Sequence, residues 1–127
     1  MLIFWATWNN GSHPEMLMLG QVYQRIHVPE SDFDILGIAV DDELAAVKQF
    51  AADSNLTYPL ALDHHREIAD AYQIRSVPTA LIVDTSGKIT YGSVGFARDR
   101  QFALASQLGF SPSQFQMNMG APRGRGN

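Results

Sequence analysis

The chain has 127 residues, 46% of them hydrophobic and 17% charged, with a net charge of −4 and a pI near 5.4. That is enough chain for one domain with its own core, and the acidic balance argues against a broad nucleic-acid or membrane-surface footprint, which needs a basic face. The absence of cysteine excludes disulfides, thiolate metal sites and any cysteine nucleophile.

The charge is uneven. Arg123 and Arg125 lie in the last five residues, so residues 1–110 hold seven Lys and Arg against thirteen Asp and Glu, a net of −6. No run reaches the roughly 20 apolar residues of a membrane span. The opening "MLIFWATW" lacks the basic region and small-residue cleavage site of a signal peptide. The chain as it stands therefore reads as cytoplasmic, and as extracytoplasmic if an N-terminal extension precedes it.

In chain order, "MLIFWATW" is short, apolar and aromatic, which suits a strand buried on both faces. It stops at the turn formers "NNGS", and Ser12-His13-Pro14-Glu15 fits a capping box that opens a helix. Pro14 is tolerated in a first turn. Met16, Leu19, Val22, Tyr23 and Ile26 recur at helical spacing and predict one apolar face. "FDILGIAV" (Phe33 to Val40) is a second buried strand. Asp41 or Asp42 can cap the following helix, whose inward stripe would be Leu44, Val47, Phe50 and Ala51. A shorter helix is predicted from about Arg66 to Tyr72, with Asp63 as its cap. "TALIVD" and "KITYGSVG" are two strands joined by "TSG", a hairpin signal. A last helix from about Arg98 would bury Phe102, Ala105 and Leu108 and stop at Gly109. From Ser111 onward the chain is rich in Gly, Pro, Ser and Gln without periodicity, which predicts a disordered tail over 111–127.

The order is thus β-α-β-α-(α)-β-β-α, with a parallel crossover between the first two strands and an antiparallel hairpin at the end. Three motifs join it: "FWATW" (Phe4 to Trp8) with Glu15-Met16 on the next helix, "RSVPT" (Arg75 to Thr79), and "ALIVDTSGKI" followed by "GSVGF". Together they resemble the thioredoxin superfamily, in its TlpA/ResA-like (redoxin) branch, over roughly residues 1–110. The resemblance implies an α/β thioredoxin-like fold, a central four-stranded mixed sheet with helices on both faces. It also implies that the usual N-terminal hairpin of that branch is missing before Met1. A strand edge left open in this way could pair with a second copy, so a homodimer is expected, and a clean monomer in solution would count against it.

In that branch "FWATW" runs directly into Cys-x-x-Cys, which places the two cysteine positions on Asn9 and Ser12. Neither an amide nor a hydroxyl replaces a thiolate in disulfide exchange. Asn10-Gly11 stands where Gly-Pro is common, and Ile3 stands where classical thioredoxins bury an Asp. The resemblance therefore implies a relative of thiol–disulfide oxidoreductases without dithiol redox activity and without a cofactor. What it leaves is the Val77-Pro78-Thr79 loop, whose proline is cis in the family and whose preceding residue offers backbone groups to an extended peptide or to glutathione. Trp8, together with Trp5 and Pro78, would line that groove. The alternative is a glutathione-binding enzyme that uses Asn9 and Ser12 to polarise a bound thiol.

Two further features carry less. "DHHRE" sets Asp63, His64 and His65 side by side, but adjacent side chains diverge and no His pair stands four residues apart on one helix face, so no metal site is expected. His27 would end the first helix, where a cation suits the dipole. The tail "RGRG" has too few arginines to make a nucleic-acid site, and none is expected.

Overall fold

The structure, a computed structural model, describes residues 1–26 and 33–95. The expected last helix from Arg98, the tail over 111–127 and His27 lie outside the described residues.

Eight elements follow in order: β1 (Leu2–Trp5), α1 (Ser12–Ile26), β2 (Leu36–Val40), α2 (Leu44–Ser54), β3 (Leu60–Asp63), α3 (Glu67–Ala71), β4 (Thr79–Val83) and β5 (Ile89–Val94). They form one mixed sheet of order β3-β2-β1-β4-β5. β1 runs parallel to β2, and β2 parallel to β3, while β4 runs antiparallel to both β1 and β5. The sheet has five strands, not four. The additional strand, β3, has four residues and follows Pro59 directly; it is a strand because Leu60 to Asp63 pair with Gly37 to Val40, not because of any alternation of its own.

Alternation along β1 divides the core. Ile3 and Trp5 face one side and join Met16, Leu19, Val22, Tyr23, Val47 and Tyr58 from α1, α2 and the loop after it. Phe4 faces the other side and packs with Ile38, Val40, Ala69 and Ile74 around α3. Burying side chains of this size contributes about 1.5–3 kcal/mol each. Helices therefore cover both faces. Among the described residues no helix is long and apolar enough to cross a membrane.

Helix starts differ from the local expectation. Ser12 is already inside α1 and fully buried; its amide and hydroxyl both donate to Asn9 Oδ1, at 2.9 and 3.3 Å, so Asn9 does the capping. Neither Asp41 nor Asp42 caps α2. Asp41 has φ +54, and the Asp42 carboxylate is taken by Thr7; the N-cap is Glu43, without a side-chain bond. Leu44, expected in the core, is 53% exposed, so the inward face of α2 rests on Val47, Phe50 and Leu56 just beyond it. Asp63 does serve α3, accepting from the amides of Ile68 (3.1 Å) and Ala69 (2.7 Å). The β4–β5 hairpin closes on Asp84, whose Oδ1 accepts from the Ser86 amide and hydroxyl and the Lys88 amide, with Gly87 at φ +88.

Candidate functional site

The sheet topology collects four segments at one end. The parallel strands β1, β2 and β3 finish there, and the antiparallel β4 begins there, because Phe4 pairs with Thr79. β2 lies on one side of β1 and β4 on the other, so the chain crosses past β1 between β3 and β4. In open α/β sheets that switch point, beyond the strand carboxyl ends, is where ligands sit. The segments are the Ala6–Gly11 turn, the Asp41–Glu43 loop, the His64–Arg66 loop and the Arg75–Pro78 loop.

Side-chain hydrogen bonds weld the first three. The Asp42 carboxylate, 4% exposed, accepts from the Thr7 amide and hydroxyl at 2.7 Å each and from the Glu43 amide at 2.9 Å. Trp8 Nε1 donates to the Asp41 carbonyl at 2.9 Å, with the Val40 carbonyl at 3.3 Å, while the residue remains 57% exposed. The aromatic face is thus presented to solvent in a fixed orientation. His13 Nε2 lies 2.9 Å from the Thr7 carbonyl, and its ring packs on Phe50 with centroids 4.7 Å apart.

His64 Nδ1 donates to the Asp42 carbonyl at 2.8 Å and lies 3.8 Å from Glu43 Oε2. That carbonyl, and then the Glu43 carboxylate, favour the charged imidazolium and raise the His64 pKa above its usual value. His65 stacks on it edge-on, with centroids 4.3 Å apart. Among the described residues no group of three or more His, Asp or Glu is placed to hold a metal ion.

Asn9 and Ser12 are adjacent, as the resemblance implies, but they are engaged with each other and Ser12 is buried. Trp5 does not line the site: it is fully buried, stacked on Phe50 at 5.1 Å. Pro78 and Thr79 are also buried. The Val77–Pro78 peptide bond is cis; the Pro78 carbonyl accepts from the Gly95 amide at 2.7 Å, and the Thr79 hydroxyl donates to the Ser76 carbonyl at 2.7 Å. Val77 itself is half-buried, and among the described residues neither its amide nor its carbonyl takes a backbone hydrogen bond. Beside this loop opens a cavity of about 340 Å³ lined by Gln73, Ile74, Arg75, Ser76, Thr79 and Val94. Of the residues singled out from the sequence only Thr79 reaches it. Sequence reasoning missed the rest, although Arg75 stands inside the "RSVPT" motif.

The fold and this sheet end define a thioredoxin-like protein that carries no thiol. Residues 1–92 match the AhpC/TSA family, and the chain belongs to it, without a cysteine anywhere in its sequence. It is 29% identical over 94 residues to the thiol-disulfide oxidoreductase ResA of Bacillus cereus, an alignment covering 74% of this chain and 53% of that protein. The chain spans about half the length of the curated relatives it matches. Two solved structures share the fold. One is a thiol-disulfide oxidoreductase from Bacteroides fragilis (TM-score 0.72, 24% identity, 84% of this chain and 76% of that one). The other is a thioredoxin-family thiol:disulfide interchange protein from Chlorobium tepidum (TM-score 0.68, 24% identity, 94% and 78%).

Proposed function

We propose that this chain is a binding member of its family, holding an extended peptide or glutathione at the Val77–Pro78 loop and performing no thiol chemistry of its own. The observation that carries the reading is that, among the described residues, the amide and carbonyl of Val77 take no backbone hydrogen bond at the sheet end where β1, β2 and β3 finish. A residue just ahead of β4 whose amide and carbonyl are both unpaired among the described residues is a template for a short β-type pairing, which needs backbone and no thiol. The fixed, exposed ring of Trp8 supplies an apolar surface at the same sheet end. Dithiol exchange is outside the chemistry of these 127 residues, since none carries a thiol.

A glutathione-dependent enzyme would need Asn9 or Ser12 to turn toward a bound thiol. Ser12 is fully buried and the pair already satisfies itself, so binding without catalysis is the reading that the geometry favours. The test is an amide NMR titration with glutathione and, separately, with extended peptides. Saturable shifts at Val77, Thr79 and Trp8 are expected. Flat spectra at millimolar ligand would overturn the reading.

A further inference from the structure

We infer that the cavity beside Val77 is a carboxylate subsite, with Arg75 as its cation, and that it selects ligands ending in a free carboxylate. The inference rests on the binding role proposed for Val77 and names the ligand chemistry of that same site.

Two arginines flank this end of the molecule, and they differ in what they do. Arg66 is committed: its Nη2 donates to the Ile74 carbonyl at 2.8 Å, and its Nε lies 3.5 Å from Asp70. That clamp fixes the backbone just before Arg75. Arg75 is exposed, lines the cavity, and among the described residues has neither a hydrogen bond nor a carboxylate within 4.0 Å. Lys48 and Lys88 likewise make no ion pair among the described residues, so what sets Arg75 apart is its place on the cavity wall. The other walls are the apolar Ile74 and Val94, the hydroxylic Ser76 and Thr79, and the amide-bearing Gln73. A concave, largely apolar site with one cation among its lining residues suits an aliphatic chain that ends in a carboxylate, which a guanidinium can grip with two parallel N–H···O bonds.

Arg75 is also two residues from Val77. A ligand strand paired to the Val77 amide and carbonyl would bring its next groups alongside the cavity within one or two residues of the pairing. Two sources offer the required carboxylate at that range: glutathione, and the C-terminus of an extended peptide.

The test uses the full chain and three ligands: glutathione, an extended peptide with a free C-terminus, and the same peptide amidated at its C-terminus, each followed by amide shifts at Val77. The free acid is expected to bind about fivefold more tightly than the amide, and Arg75→Gln to abolish that difference while leaving the amidated peptide unaffected. Glutathione that loses affinity in Arg75→Gln as the free acid does would identify it as a source; glutathione indifferent to the change would leave the peptide C-terminus as the source. Equal binding of acid and amide, with no response to Arg75→Gln, would overturn the carboxylate subsite while leaving the Val77 reading intact. Absence of shifts with all three ligands would overturn both.

Discussion

Asp42 holds three hydrogen bonds on one buried carboxylate and so ties the turn after β1 to the loop after β2. Truncation leaves the Thr7 amide and hydroxyl without their acceptor, so Asp42→Ala is expected to lower stability by about 2–3 kcal/mol in urea denaturation, and Asp42→Asn by less. A loss under about 0.5 kcal/mol would mean that water replaces the carboxylate there. The sequence offers Asp41 or Asp42 as the cap of α2, whereas the Asp42 carboxylate serves Thr7 instead. Its partner lies 35 residues away, beyond the reach of any local pattern. His64 makes the second tie. Its pKa is raised in the folded chain above 6.5, so the stability it contributes is fully present below about pH 6.5 and fades as pH rises through the folded value. An NMR titration of its imidazole should show a midpoint above 6.5 that Glu43→Gln moves downward. A midpoint at or below 6.5 would contradict the contacts described.

At the scale of elements, the long periodic segments were legible: α1 with Met16, Leu19 and Val22 inward, the central strands β1 and β2, and the β4–β5 hairpin. β3 was not, because its identity comes from contact. Gly37 shows how close that contact is: a Cβ there would meet Leu60 Cδ2 at 2.7 Å, with Met16 Cε and Trp5 Nε1 each at 3.3 Å. Leu60 is its register partner on β3. Gly37→Ala is therefore expected to cost about 1–3 kcal/mol and to speed amide exchange in β3 more than in β4. Unchanged exchange in β3 would show that Leu60 simply moves aside. The end of α2 was equally opaque: Leu44 has the spacing of a core residue, yet the chain enters the helix there and turns it outward.

For the whole molecule, the described residues build the family's sheet while the chain carries no thiol, and the two can be separated experimentally. Asn9 Oδ1 and Ser12 Oγ lie 3.3 Å apart, so the turn already brings the two side chains together. The double substitution Asn9→Cys/Ser12→Cys is expected to close an intramolecular disulfide under mild oxidation, seen as a loss of two hydrogens by mass. Persistent free thiols would show that the turn has drifted from dithiol geometry. The thiol-free turn and its neighbours were readable from "FWATW" and "RSVPT" because those motifs are contiguous. The cavity was not, since Val94 joins Gln73–Ser76 only through strand pairing. The binding role proposed for the Val77 backbone is tested most directly by hydrogen exchange at the Val77 amide with and without a free-acid extended peptide. Slowed exchange at Val77, confined to its loop, is the expected result; a Val77 amide that exchanges equally fast at millimolar peptide would contradict it.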